Sequence, residues 1–236
     1  MQRGKFIVFE GIDGAGKSTQ IGLLAAHLRA LGREVVTTAE PTETDTGRML
    51  RAALSGNPPR TGAQMAALFV LDRIGHSREI EALLASGADV ICDRYYYSSL
   101  AYQGSICDYE WVRHMNCECP DILHPDLCVF LDLSPTVALS RIQKRGEAAE
   151  IYEKEDTLTR VRATFLRVFD TLTDRVAVID ASGSADEVGA AVASAVTQIY
   201  KQLPPLSTLI IRRPLKITSW ECIIIVKALG TITRIK

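Results

Sequence analysis

The sequence has no long apolar run. Its densest stretch, Cys222 to Val226, is cut off by Lys227, far short of the roughly 20 residues a bilayer-crossing helix needs. A secretory leader is also missing: Met1-Gln2-Arg3-Gly4-Lys5 runs directly into strand-like sequence, without an apolar core or a small-residue cleavage site. These two absences predict a soluble, cytoplasmic protein with no membrane partner. There is no excess of charge of one sign either. The 27 Lys/Arg and 28 Asp/Glu leave a formal net charge of −1, so the electrostatic footprint of a nucleic-acid-binding protein is lacking. The six cysteines are scattered, and a reducing compartment keeps them as thiols. Cys117 and Cys119 are close neighbours, but no second pair follows at finger spacing to complete four zinc ligands. Internal repeats at solenoid spacing are absent.

What is present reads as a folded α/β chain. Its 236 residues are 47% apolar and 23% charged, which suits one domain with a substantial core. Phe6-Ile7-Val8-Phe9 is a short continuous apolar run, the mark of a parallel strand buried on both faces. Further strands are expected over 34–38, 88–92, 127–133 and 176–179, and helices over 19–31, 45–55, 62–85, 135–145, 150–172 and 185–203, with more helix between 94 and 126. Alternation of this kind implies a five-stranded parallel sheet flanked by helices in three layers. Ligands then bind beyond the carboxyl ends of the strands, where the polar residues after Phe9, Thr38 and Cys92 fall. The character changes after Pro204-Pro205. Residues 204–236 carry Arg212, Arg213, Lys216, Lys227, Arg234 and Lys236 against the single acid Glu221. The expected division is a catalytic unit over 1–203 and a basic extension over 204–236, which could be an edge hairpin, an interaction tail or sequence that does not fold.

The strongest local signal is Gly11-Ile12-Asp13-Gly14-Ala15-Gly16-Lys17-Ser18, a P-loop between a strand and a helix. Its glycines let successive backbone N–H groups turn inward onto phosphate oxygens, and the following helix, from Thr19, adds its positive end. Lys17 is expected to reach the β- and γ-phosphates of ATP, with the Ser18 hydroxyl on Mg²⁺. The Asn-Lys-x-Asp motif of a GTPase is not found. A compact P-loop domain with basic residues after its third strand points to a kinase acting on a small phosphorylated acceptor.

Phe9-Glu10-Gly11-Ile12-Asp13-Gly14-Ala15-Gly16-Lys17-Ser18-Thr19-Gln20 resembles the P-loop of thymidylate kinases. Three more ordered blocks agree: Glu40-Pro41-Thr42 ahead of Gly47-Arg48; Asp93-Arg94-Tyr95 with Ser98 to Gly104; and Pro125-Asp126-Leu127 leading into Leu131-Asp132. The similarity runs over about residues 4–203. It implies the P-loop NTPase fold with a short lid at about 141–153, transfer of the ATP γ-phosphate to dTMP, Mg²⁺ dependence and a homodimer. It implies site roles as well. Phe69 stacks on the thymine ring, unless it is a core residue at helical spacing, and Arg73 bonds the base, unless it pairs with Asp72 or Glu79. Arg94 clamps the dTMP phosphate, with Arg48 as a second candidate, and Asp93 positions Mg²⁺, unless Asp93 and Arg94 form a structural pair. Asp13 meets the sugar 3′-hydroxyl or organises the acceptor, and Ser99 and Tyr102 line the deoxyribose and base pocket.

Some members of this family carry an arginine in the P-loop, where Gly14 stands here, so the lid is the expected source of the extra cation. Arg141 and Arg145 lie one helical turn apart beside Lys144, and Gly146 offers a hinge. Either arginine is a candidate finger, while a solvated basic face is the plainer alternative. Tyr152 and Glu153 match the family's aromatic-Glu segment. Phe165 departs from it, standing where Tyr is commoner. Two rivals stay open: a kinase for another nucleotide or nucleoside (UMP, CMP, a deoxynucleoside), and an ATP-binding scaffold that transfers nothing.

Overall fold

The structure, a computed structural model, describes residues 2–145 and 155–201, with backbone only for Arg145 and Lys201. Residues 146–153 of the expected lid, with Gly146, Tyr152 and Glu153, lie outside the described residues, as does the basic extension.

Five strands form one sheet: β1 (Phe6–Glu10), β2 (Val35–Ala39), β3 (Asp89–Asp93), β4 (Leu127–Asp132) and β5 (Val176–Asp180). All pairings are parallel, and the order is β2-β3-β1-β4-β5. The central strand β1 is buried at every position. Side chains of a strand alternate between faces, so a wholly buried strand means that helices cover both sides. The edge strands β2 and β5 show part-exposed positions instead. This is the flanked parallel sheet that the sequence pattern predicts, and the central place of β1 sets the phosphate loop at the middle of the sheet's carboxyl edge.

The helices are α1 (Lys17–Ala30), α2 (Asp45–Leu54), α3 (Gly62–Ser86), α4 (Tyr96–Tyr102), α5 (Tyr109–Cys117), α6 (Pro135–Arg145), α7 (Glu155–Thr171) and α8 (Ala185–Lys201), with a 3₁₀ turn at Gln103–Ser105. Two boundaries differ from expectation in ways that matter for the site. Helix α1 begins at Lys17 rather than Thr19, because Gly16 takes the left-handed conformation at its N-cap and puts Lys17 and Ser18 on the first turn. Strand β3 runs one residue past its apolar run, because Asp93 still pairs with Ala39 and Phe9.

Local chemistry explains the long helix α3, which carries Phe69 and Arg73. Thr61 caps α3 through a reciprocal box with Gln64, and Gly87 ends it in the left-handed conformation. Helix α1 packs on α8, while α4 packs on α7 and α5. The α4–α7 contact is aromatic: Tyr97 meets Phe169 and Tyr102 meets Phe165 with ring centroids 5.8 and 6.3 Å apart, and Phe130 of β4 joins Phe165 and Phe169 at 5.2 and 5.0 Å. Phe165 is fully buried there, so a phenyl ring satisfies this position without the hydroxyl of a tyrosine. At the start of β3 Asp89, fully buried, accepts from the Lys5 N–H at 2.7 Å, Arg33 Nη2 at 2.8 Å and the Tyr200 hydroxyl at 2.8 Å. That carboxylate ties the first strand, the α1–β2 turn and the last helix together.

Candidate active site

The phosphate loop leaves β1 at Gly11. Gly14 and Gly16 take φ values of 81° and 94°, which an L side chain resists. A Cβ on Gly14 would stand 2.6 Å from the Ala138 carbonyl oxygen, whereas one on Gly16 would meet nothing within 4 Å. Contact with α6 thus excludes a P-loop arginine at Gly14, and the space over Gly16 is open. No side chain caps α1, so its first N–H groups and dipole point at that space, a ready anion site.

Lys17 is buried. Its Nζ donates to the carbonyls of Gly11 at 3.1 Å and Ile12 at 3.4 Å, and lies 4.0 Å from Asp13 Oδ1. Burial and the neighbouring Arg94 draw its pKa down, while Asp93, Asp13 and Glu10 act against them. A cavity of about 380 Å³ beside the loop is lined by Gly14, Gly16, Thr19, Arg141, Lys144 and Gly183 among others. Arg141 is held there by a 3.0 Å bond from Nη2 to the Ala181 carbonyl. The side chain of Arg145 lies outside the described residues.

Ser18 and Asp93 line a second cavity, of about 700 Å³, between the end of β2 and α3. Asp93 Oδ1 is buried, and no hydrogen-bond donor among the described residues reaches it. A hydroxyl and an orphaned carboxylate oxygen are hard donors that suit Mg²⁺. No group of three or more His, Cys, Asp or Glu among the described residues could cage a metal alone. An ion that keeps waters and takes phosphate oxygens needs no such cage.

The third cavity, about 300 Å³, gathers Asp13, Arg51, Phe69, Arg73, Arg94 and Tyr102 with neighbours that include Glu40, Ser98 and Gln103. Arg94 Nη2 donates to Asp13 Oδ1, and Nη1 donates to Ser98 Oγ at 3.1 Å. Its guanidinium lies 5.7 Å from the centre of the Tyr102 ring. Burial alone would lower the Arg94 pKa, but Asp13, Tyr102, Glu10 and Asp93 outweigh it and hold the group above its usual value. Burial pushes Tyr102 up to about 12, so its hydroxyl stays neutral.

Arg73 pairs with neither Asp72 nor Glu79. Its Nε and Nη2 donate to Glu40 Oε2 at 2.9 and 2.6 Å, and Nη1 donates to Ser99 Oγ at 3.2 Å and to Asn116 Oδ1. The other oxygen of Glu40 meets His76 Nδ1 at 3.1 Å, and His76 Nε2 meets Thr38 Oγ1 at 2.8 Å. Arg73, Glu40, His76, Ser99 and Asn116 are all buried, and these bonds hold the guanidinium in place at the cavity wall. Asp72 serves elsewhere, accepting from the Thr42 N–H at 2.9 Å and from the Thr42 and Thr46 hydroxyls at 2.6 and 2.7 Å. It pins the loop between β2 and α2.

Of the residues expected on the acceptor side, Asp13, Phe69, Arg73, Arg94 and Tyr102 line one cavity. Ser99 sits behind Arg73, and Ser98 takes the lining position. Arg48 is exposed, paired with Asp45 and the Glu43 carbonyl. The arginine of α2 that reaches the cavity is Arg51, one turn on, which donates to the Thr42 and Pro41 carbonyls at 2.8 and 2.9 Å. Arg51 and Asn116 escape sequence reasoning, while Glu40, Ser98 and Gln103 stand in the blocks of the resemblance but are given no role there. For Arg51 a signal existed: three residues beyond Arg48 it lies on a neighbouring face of the same helix.

The thymidylate kinase family model matches residues 9–192. The chain is 42% identical over 202 residues to the thymidylate kinase of Akkermansia muciniphila, covering 84% of this chain and 94% of the relative. It is 37% identical over 193 residues to the probable thymidylate kinase of Pyrococcus abyssi, covering 79% and 92%. With the thymidylate kinase of Cereibacter sphaeroides the figures are 38% over 213 residues, 86% and 98%. The chain belongs to the thymidylate kinase family. No helix among the described residues is long and apolar enough to cross a membrane.

Proposed function

We propose that this thymidylate kinase transfers the γ-phosphate of ATP to dTMP, giving dTDP and ADP. The observation that carries the reading is the acceptor cavity, in which an aromatic face (Phe69) and a buried, oriented guanidinium (Arg73) lie near a second arginine, Arg94, that touches the phosphate loop through a bond of 3.4 Å to the Gly11 carbonyl. The first pair suits a base and the second an anion.

A dTMP phosphate oxygen attacks the γ-phosphorus as the bond to the ADP oxygen breaks. The acceptor oxygen is already anionic, so the protein has little proton transfer to do and acts by position and charge. The loop N–H groups from Gly14 to Thr19 hold the ATP phosphates, and Lys17 turns from its two carbonyls to the β- and γ-oxygens. Arg94 and Arg51 hold the acceptor phosphate, Asp13 orients Arg94 and the sugar end, and Phe69 stacks on the base while Arg73 donates to it. Tyr102 walls the deoxyribose. A bound Mg²⁺, held through Ser18 and Asp93, supplies charge neutralisation at the transferring phosphate. Arg141, already in the cavity beside the loop, or Arg145 supplies the further cation. The family pattern also supports a cytoplasmic homodimer whose catalytic unit is residues 1–203.

The test is an ADP-release assay on the full chain and on a chain ending at Leu203, with dTMP, dUMP, UMP, CMP, AMP or thymidine as acceptor. Preference for dTMP in both forms is expected. Preference for another acceptor would move the substrate, and ATP binding without transfer to any acceptor would overturn the reading.

A further inference from the structure

Glu10 is the last residue of β1, wholly buried and one step before the phosphate loop. Nothing in the chemistry above uses it. Its carboxylate spans the gap to the start of α4. Oε1 accepts from the Tyr95 N–H at 2.9 Å and the Ser98 N–H at 3.0 Å, and Oε2 accepts from the Ser98 hydroxyl at 2.8 Å. Helix α4 has no side-chain cap of its own, since Tyr95 occupies the N-cap position. Glu10 therefore caps it from another strand, with a negative charge at the positive end of the helix dipole.

The turn that it caps is strained. Arg94 has φ 66°, and among the described residues it is the one non-glycine with positive φ, a conformation that crowds the Cβ of an L residue against the backbone. Two consecutive N–H groups hold it. That of Arg94 donates to the Phe9 carbonyl at 2.9 Å, and that of Tyr95 donates to Glu10. Both anchors are the final residues of β1. The Ser98 hydroxyl gives its proton to Glu10 and accepts from Arg94 Nη1, so Glu10 sets the side chain of Arg94 as well as its backbone. Burial pushes the Glu10 carboxyl up to about 7, opposed by Arg94, the Ser98 hydroxyl, the Tyr95 N–H and Lys17. The three donors aimed at its two oxygens are those that an ionised carboxylate accepts.

We propose that Glu10 is a positioning residue for the acceptor phosphate: by clamping the left-handed turn at Arg94 and orienting Ser98 beneath its guanidinium, it sets the acceptor arginine at a fixed place relative to the phosphate loop. The inference rests on the reading of Arg94 as a ligand of the dTMP phosphate. The strand end that launches the loop thereby also aims the arginine facing it, so donor and acceptor phosphates share one reference point.

The test uses the full chain and the variants E10Q, S98A, R94A and the double variants E10Q/R94A and S98A/R94A, with KM measured separately for dTMP and ATP. Glutamine keeps the shape of Glu10 but loses its charge and turns an N–H toward Ser98. E10Q is expected to raise the dTMP KM about tenfold, the worth of one charge-assisted hydrogen bond, with the ATP KM changed less than about threefold. S98A should shift the dTMP KM the same way by less. The decisive readout is the double variant: once Arg94 is gone, E10Q should add less than about twofold to the dTMP KM. Effects that multiply, or equal weakening of both substrates, would make Glu10 merely structural and overturn the inference while leaving Arg94 in its role. An unchanged dTMP KM in R94A would instead remove the Arg94 reading, and this inference with it. If E10Q fails to fold, S98A and S98A/R94A carry the same comparison.

Discussion

The two halves of the active centre are built in different ways. On the proposed nucleotide side the groups assigned to work are mostly backbone: N–H groups between Gly14 and Thr19, freed by glycines at φ 81° and 94° and aligned by the start of α1. On the acceptor side they are side chains from separate elements: Glu40 after β2, Arg51 on α2, Phe69 and Arg73 on α3, Arg94 after β3 and Tyr102 on α4. A backbone site is encoded by contiguous sequence, and one residue in it contributes mainly by its own charge. A side-chain site exists only when the fold brings distant residues together, so each depends on a partner that never touches the ligand. Substitutions should therefore slow chemistry on the first side, and cost stability as well as affinity on the second.

The sharpest break of this comparison is Lys17→Ala. Its Nζ bonds two loop carbonyls and no carboxylate within ordinary hydrogen-bond distance, so its removal breaks no carboxylate hydrogen bond, and Glu10 keeps its three donors. The lost positive charge at the β- and γ-phosphates should lower kcat by about 10³-fold or more, while Tm moves by only a few degrees. Stopped or steady-state turnover beside a melting curve checks both. A near-normal rate would remove Lys17 from the chemistry, and a collapse in Tm would erase the contrast between the halves.

On the acceptor side, Glu40→Ala should fail in the opposite currency. It strips Arg73 of the partner of its Nε and Nη2 and His76 of the partner of its Nδ1, with Arg73 and Glu40 side chains only 1% and 2% exposed. An unpaired buried guanidinium costs about 3–5 kcal/mol, roughly 10 °C in Tm for a chain of this length. Pairing it with Arg73→Leu should restore part of the Tm without restoring dTMP binding, since the stranded charge goes but the base ligand goes with it. If Glu40→Ala melts with the wild type, the network is not under the load assigned to it.

The same contrast explains what could be read before the fold was known. The five strands, the loop and its roles follow from local pattern, because apolar runs and a Gly-rich strand–turn–helix motif are contiguous. Phe69, Arg73 and Arg94 follow from the resemblance to a known family and not from local pattern. Their supports follow from neither: Asn116 lies 43 positions from Arg73 and Glu40 lies 33 away, and no periodicity links them. Adjacent serines show the limit most simply. Ser98 and Ser99 differ by one helical step, about 100° of rotation, and that step decides which one lines the cavity and which one backs Arg73. Arg48 and Arg51 pose the same question on α2.

That last pair also gives the smallest effect. Arg48 is 62% exposed and pairs with Asp45, itself 94% exposed, and an ion pair in water is worth about 0–1 kcal/mol. Arg48→Ala should change the dTMP KM by less than about twofold. Arg51 spends Nη1 and Nη2 on the Thr42 and Pro41 carbonyls and on Glu43, and its side chain walls the cavity below Arg94. Arg51→Ala removes a cation from the acceptor phosphate and loosens the loop that carries Glu40, so the dTMP KM should rise about five- to tenfold. The ATP KM should stay put in both variants, since neither arginine lines the cavity beside the phosphate loop. Reversal of the two effects would mean that α2 turns by about one helical step when the acceptor binds. The acceptor half would then be assembled by its ligand, whereas the nucleotide half is formed in advance.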